Sequence, residues 1–303
     1  MKEARELCKD RGKWRSIVSA YPSETDWTNL RNHPSWSILD NQYCGETSAD
    51  RIIGGTNAAM GQFPWLVRLG YISENDDEVG WLCGGSLITN KHVLTAAHCA
   101  GGDMAEYKLN LVRVGEYDID TDPDCRLGIC APKVQDIVIS KIVVHENFNK
   151  PMFHNDIALL HMEKPAHLTF AVPLCIPRER QPEVIVGENC VVAGWGKTNI
   201  TTDERASILQ FVQIPILDKE VCNQLNTNLF KISDNEICAG AQFNKDACGG
   251  DSGGPLMKVY DTEEGPKSFV VGVVSFGPTQ CGIRKPGVYT SVHRFTKWIL
   301  DNL

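Results

Sequence analysis

Between Asp246 and Pro255 the chain reads Asp-Ala-Cys-Gly-Gly-Asp-Ser-Gly-Gly-Pro, so Ser252 is enclosed by four glycines and followed by a proline. Glycine is costly to order inside a regular helix or strand, and proline withholds a backbone donor, so this stretch dictates an irregular turn. Such a turn can expose a nucleophile. A serine hydroxyl is a weak nucleophile near neutral pH and needs a neighbouring base, which in turn needs a group to orient it. Two upstream stretches offer these groups: His98 in Leu94-Thr-Ala-Ala-His98-Cys99, and Asp156 in Asn155-Asp156-Ile-Ala-Leu-Leu160. Each lies at the border of an apolar, strand-like run, and His, Asp, Ser is one of the chain orders in which this triad occurs.

With Arg51-Ile-Ile-Gly-Gly55 ahead of them, these motifs resemble the trypsin and chymotrypsin family of serine endopeptidases over about residues 52 to 303. The general triad mechanism used below was worked out on that family. A Gly-rich hairpin with a surface serine would explain the last motif alone, but not four motifs in order. The resemblance implies an all-β fold: two six-stranded antiparallel β-barrels joined near Pro173 to Arg178, the catalytic cleft between them, and a C-terminal α-helix. It divides the chain into a prosegment, residues 1–51, and a protease domain, residues 52–303.

The 303 residues suffice for one large or two small domains. Thirty Lys plus Arg against 38 Asp plus Glu give a net charge of −8, which argues against a nucleic-acid partner. No apolar run approaches the roughly 20 residues of a membrane-spanning helix. Twelve cysteines, scattered rather than in Cys-x-x-Cys pairs, fit a disulfide framework in an oxidising compartment and exclude a zinc or redox module. Met1 to Asp10 is charged throughout and lacks the apolar core of a signal peptide. The cysteines outweigh this and predict a secreted protein whose N-terminus is missing or misassigned.

Residues 1–50 are polar and carry three of the seven tryptophans, Trp14, Trp27 and Trp36. Residues 2–15 suit a charged helix, and Pro34, Asn41 and Gly45 mark a linker. The segment reads as a loosely ordered prosegment, or as one whose tryptophans dock on the protease domain or a partner. From Arg51 onward, short Val, Ile, Leu and Tyr runs bounded by turn residues predict strands. These are residues 63–71, 86–88, 109–114, 137–144, 157–161, 190–193, 209–214, 269–276 and 287–291. Val292, Phe295 and Ile299 recur at helical spacing and predict the final helix.

The family's cysteine positions imply the pairs Cys83 with Cys99, Cys222 with Cys238, and Cys248 with Cys281, and a tether of Cys44 to Cys175. Cys125 and Cys130 are close enough in the chain to close locally. Lys258 stands at the position where a partner for Cys190 is usual, which leaves Cys8 and Cys190 either paired with each other or free. The stretches Asp124 to Asp136 and Val274 to Cys281 resemble the arthropod clip-domain branch, whose members are cascade enzymes of immunity and development. Only Cys8 and Cys44 precede Arg51, so a complete six-cysteine clip domain is absent from this sequence.

By resemblance His98 serves as general base and then acid, Asp156 orients it, and the backbone amides of Gly250 and Ser252 form the oxyanion hole. Ser275 supports Asp156, and Phe276 and Gly277 offer backbone to an extended peptide as an added strand. Asp246, six residues before Ser252, would form the floor of a pocket for Arg or Lys, with Gly277 and Gly287 in its walls. Cleavage between Arg51 and Ile52 would free an α-amino group that pairs with Asp251. The expected partners are protein substrates, such as downstream zymogens, a trypsin-like activating protease, and serpin-type inhibitors. No cofactor is required; Glu116 and Asp118, at the head of an acidic run to Asp124, suggest a structural calcium. Asn199-Ile-Thr201 is the only glycosylation sequon. The other histidines lack metal-ligand spacing and read as surface or satisfied core residues. The competing reading is a non-catalytic homologue that binds partners through the same fold; such chains usually lose the nucleophile, which is retained here.

Overall fold

A computed structural model describes residues 27–40, 43–47, 57–73, 78–101, 107–197, 205–225, 231–242, 250–277 and 285–303. The first strand, Leu66–Ser73 (β1), is buried along its length except at Arg68 and Ile72, which are half-buried. The next strands are Val79–Leu87 (β2), His92–Thr95 (β3), Tyr107–Val114 (β4), Cys125–Arg126 (β5), Ile129–Cys130 (β6), Gln135–Val144 (β7) and Ala158–Met162 (β8). Six of them close a barrel in the order β1-β2-β3-β8-β7-β4, and β5 and β6 form a separate hairpin. Asn189–Gly194 (β9), Gln210–Leu217 (β10), Glu236–Gly240 (β11), Pro255–Thr262 (β12), Gly265–Phe276 (β13) and Pro286–Ser291 (β14) close a second barrel, ordered β10-β11-β14-β13-β12-β9. Every pairing within the two barrels is antiparallel. The all-β, two-barrel expectation therefore holds.

Five helices complete the described chain: Trp27–Leu30 (α1), Trp36–Asp40 (α2), Ala97–Gly101 (α3), Lys219–Leu225 (α4) and Val292–Asp301 (α5). On α5 the buried residues are Val292, Phe295, Thr296, Ile299 and Leu300, a helical stripe pressed on the core. The proposed helix over residues 2–15 lies outside the described residues.

The linker reading of residues 34–45 needs correction. Trp36 is buried on α2, its indole N–H donates to Leu30 O at 2.7 Å, and the Arg178 guanidinium stacks 4.2 Å over its ring. Arg178 also pairs with Asp40, and Arg31 with Glu179. Cys44 is bonded to Cys175. Gly45 has a φ of +68°, and a Cβ there would lie 2.3 Å from Ser268 O, so this docked turn requires glycine. The tryptophans, not the turn residues, decide the behaviour of this segment.

A histidine pair in the first barrel gives the fold an acid sensitivity. His92 on β3 and His161 on β8 are direct cross-strand partners, ring centroids 4.7 Å apart. Thr89 Oγ1 accepts the backbone N–H groups of Lys91 and His92, both at 3.0 Å, so its own O–H is directed to His92 Nδ1 at 2.7 Å. That bond needs an unprotonated Nδ1. Burial, reinforced by His161 and Lys91, pulls His92 down to about 4, and burial lowers His161 as well. The folded value lies below the unfolded one, so the contribution is complete above about pH 6.5 and is lost as pH falls toward 4. We expect a loss on the order of 2 kcal/mol across that window, after allowance for partial solvent screening. Urea melts at pH 7 and pH 4.5 should show it, with a flatter dependence in His92→Phe; an equal pH slope in that variant would exclude His92 as the source.

Candidate active site

His98 sits on α3, directly after β3, and the core places the start of that helix: Ala96 and Ala97 are fully buried. Asp156 precedes β8, the neighbour of β3 in the barrel, so closure of the sheet brings the two together. His98 Nδ1 lies 2.7 Å from Asp156 Oδ2, and the His98 backbone N–H donates to Asp156 Oδ1 at 2.9 Å. From the second barrel the Ser275 hydroxyl also donates to Asp156 Oδ2, and Thr290 Oγ1 donates to the Asp156 carbonyl at 2.8 Å. Asp156 is 4% exposed, so every bond it accepts is made away from bulk water. This carboxylate holds the ring with Nδ1 as donor and Nε2 as the nitrogen left to take up a proton.

The Ser252 turn is pinned to both barrels. Gly84 N on β2 donates to Ser252 O at 2.8 Å, while Gly253 N donates to Val274 O and Val274 N to Gly254 O, each at 2.9 Å. Gly253, with a φ of +78°, packs against the strand end that leads to His98: a Cβ there would lie 2.2 Å from Thr95 Oγ1 and 3.3 Å from Ala96 N. No other residue fits that contact. Val274 precedes Ser275, so the bonds that fix the serine turn also fix the group that holds Asp156. The arrangement provides a serine on a tight turn, an imidazole oriented by a buried carboxylate, and the chemistry of acyl transfer.

The trypsin family profile matches residues 52–299, which include all three motifs. The chain belongs to the trypsin family. The protease is 40% identical to the CLIP domain-containing serine protease HP8 of Bombyx mori over 88% of this chain and 73% of that one. It is 37% identical to the Spaetzle-processing enzyme of Drosophila melanogaster over 87% of this chain and 69% of that one. The crystal structure of Drosophila Grass, a clip serine protease of the Toll pathway, superimposes with a TM-score of 0.76 at 31% identity, covering 89% of this chain and 78% of that one. The protease is thus a serine endopeptidase of the clip-domain cascade branch.

Other predicted residues of the protease fall into place unevenly. Gly277 follows β13 and Gly287 lies on β14; a Cβ on Gly277 would stand 3.7 Å from Gly287 Cα, so the two positions face each other with no side chain between them. Phe276 is half-buried against Phe153, rings 5.2 Å apart. Cys44–Cys175, Cys83–Cys99, Cys125–Cys130 and Cys222–Cys238 are bonded as expected. Cys190 is a free thiol among the described residues, fully buried and pushed up by burial to about 12, which disfavours the reactive thiolate. Arg51, Ile52, Cys8, Asn199, Asp246, Cys248 and Cys281 lie outside the described residues.

The acidic loop does not fit calcium as arranged. Glu116, 7% exposed, faces the guanidinium groups of Arg113 at 3.4 Å and Arg68 at 3.8 Å, where a divalent cation would meet like charge. Burial pushes its carboxyl up, against the pull of the two arginines. Asp124 accepts from Tyr117 N, Asp118 N and Thr121 Oγ1, and Asp118 accepts from Asp120 N. Among the described residues the one gathering of three potential metal ligands is Cys83, His98 and Cys99, and its cysteines are joined in a disulfide.

Sequence reasoning missed Thr290 and the cradle of Asp251. Gly196 N donates to Asp251 Oδ1 at 2.9 Å, and a Cβ on Gly194 or Gly196 would lie 2.1 or 2.4 Å from its carboxylate oxygens. The glycines on either side of Trp195 were the available signal. Arg205 was missed too: it donates to Trp81 O at 3.1 Å and its Nη1 would lie 3.7 Å from a Cβ on Gly250.

Proposed function

We propose that the protease is secreted as a zymogen, is cut between Arg51 and Ile52, and then hydrolyses peptide bonds after Arg or Lys in an extracellular immune or developmental cascade. The observation that carries this reading is the Asp156–His98 pair at 2.7 Å beside a serine turn pinned to both barrels. Ser252 is the nucleophile, His98 the base and then the acid toward the leaving amine, and the Gly250 and Ser252 amides the oxyanion donors. Relatives named for Spaetzle processing, phenoloxidase activation and melanization support a protein substrate, such as a downstream zymogen, and a cascade setting. Four disulfides support the extracellular compartment. Serpin-type inhibition and a glycan on Asn199 belong to the same proposal.

Specificity rests on Asp246, with Gly277 and Gly287 leaving room for a long side chain. Asp246→Ser should lose Arg and Lys substrates selectively, because a guanidinium buried without its partner costs about 3–5 kcal/mol, or roughly two to four decades of kcat/KM. Paired Arg and Phe substrates give the measurement; an equal loss on both would remove Asp246 from the pocket.

The zymogen step follows from where Asp251 sits. Its carboxylate is wedged against Gly194 and Gly196 and adjoins Gly250 in the chain, so a cation arriving there would set the oxyanion loop. An unformed oxyanion donor typically costs about 10²–10³ in kcat. The uncut Arg51→Gln protein should therefore remain at least about a hundred-fold below the cut wild type. Equal activity, with N-terminal sequencing to prove the chain intact, would refute the zymogen reading alone.

A further inference from the structure

The described chain begins at Trp27, whose ring packs edge-on against His293 with centroids 5.0 Å apart. His293 lines a hollow of about 400 Å³ to which none of the active-site residues contributes. Its floor is apolar, with Val184 and Ile216 in it, and Val186 at its lip is 61% exposed. Five carboxylates also line it: Glu183, Asp218, Glu220, Asp234 and Glu236. Three have cationic or imidazole partners, Glu183 with Arg294 and His293, Asp234 with Lys219, and Glu236 with His154. Asp218 and Glu220 are exposed and have no such partner among the described residues.

The chain upstream of Trp27 carries the complementary chemistry. Lys9 to Val18 reads Lys-Asp-Arg-Gly-Lys-Trp-Arg-Ser-Ile-Val, four cations against one acid around Trp14, in a protein whose net charge is −8. Eight residues separate Val18 from Trp27, a reach of up to about 30 Å from the rim of the hollow. The hollow has the volume of pockets that hold drug-sized ligands, about 300–1,000 Å³, and so admits an indole. The light-chain stretch that follows, from Trp27 to Asp40, already lines the adjoining groove with Arg178 and Glu179.

We propose that residues 9–18 dock on this face, with Trp14 in the hollow and the flanking cations over Asp218 and Glu220. The segment would thereby hold to the protease domain at a further point, beyond the Cys44–Cys175 bond and the contacts of Trp27, Arg31, Trp36 and Asp40, before and after cleavage at Arg51.

Zero-length carbodiimide coupling of the full chain at low salt tests this, read by peptide mass spectrometry. Amide links from Lys9 or Lys13 to Asp218 or Glu220 within one molecule are expected. Lys13→Glu or Glu220→Lys alone should lower the yield about ten-fold, the effect of losing and reversing exposed ion pairs of up to about 1 kcal/mol each. The double exchange should restore a link, now from the amine at 220 to the carboxyl at 13. Trp14→Ala should lower the yield with the charges unchanged. Links scattered over acids elsewhere, links only between molecules, or no recovery in the double exchange would overturn the proposal.

Discussion

Replacing Ser252 by alanine should lower kcat on an Arg peptide by about a million-fold, with the thermal midpoint nearly unchanged. The loss is that large because the triad works as a unit: without the hydroxyl, the oriented imidazole has no proton to accept and no acyl bond forms. What persists is the weaker assistance that bound donors give to attack by water. Stability is spared because the turn is held by main-chain bonds, Gly84 to Ser252 and Gly253 and Gly254 to Val274, none of which uses the side chain. The purified variant, assayed beside wild type after the same activating cut and followed by circular dichroism on heating, gives both readouts. A loss of only a few-fold would mean that another residue is the nucleophile.

Asp156→Asn should cost about ten-thousand-fold in kcat with the fold retained. Every group that Asp156 meets through its side chain is a donor: His98 N on Oδ1, and His98 Nδ1 and Ser275 Oγ on Oδ2. An amide has one oxygen to offer them. Placed with its nitrogen at the Oδ1 position, it opposes the His98 backbone N–H; placed the other way, it donates to Nδ1 and forces the ring proton onto Nε2. In that tautomer the imidazole cannot take the serine proton. Ser275→Ala leaves the carboxylate and both His98 bonds in place and should cost far less than Asp156→Asn. Comparable losses in the two variants would mean that the hydroxyl, not the carboxylate, orients His98.

The site was legible because its chemistry is concentrated in short motifs whose glycines have a physical reason. Gly253 touches the strand end leading to His98, and Gly277 faces Gly287 across a gap. The barrel strands β3, β11 and β12 escaped sequence reading, as did the β5–β6 hairpin. β3 is only four residues long, β11 opens on a buried glutamate, and β12 runs from a proline into Lys258 and Asp261, so pairing rather than local pattern defines them. Asp251's cradle and the Arg205 contact join residues far apart in the chain and carry no local periodicity. The acidic run from Glu116 misled for a related reason. Glu116 at its head is answered by Arg68 and Arg113, one from β1 and one from β4, which a one-dimensional reading does not bring together. Trp36 shows the converse, a linker composition overridden by one large apolar side chain buried beneath the Arg178 guanidinium.

Covalent titration of the nucleophile tests the central claim most directly. A fluorophosphonate reacts with a serine hydroxyl only where a base activates it and an oxyanion hole accepts the phosphonyl oxygen. The chain cut after Arg51 should take up one phosphonyl group, located on Ser252 by peptide mass spectrometry, with the uncut chain and Asp156→Asn reacting far more slowly. A cut chain that stays unlabelled at Ser252, or that labels as fast with Asn at 156, would contradict it.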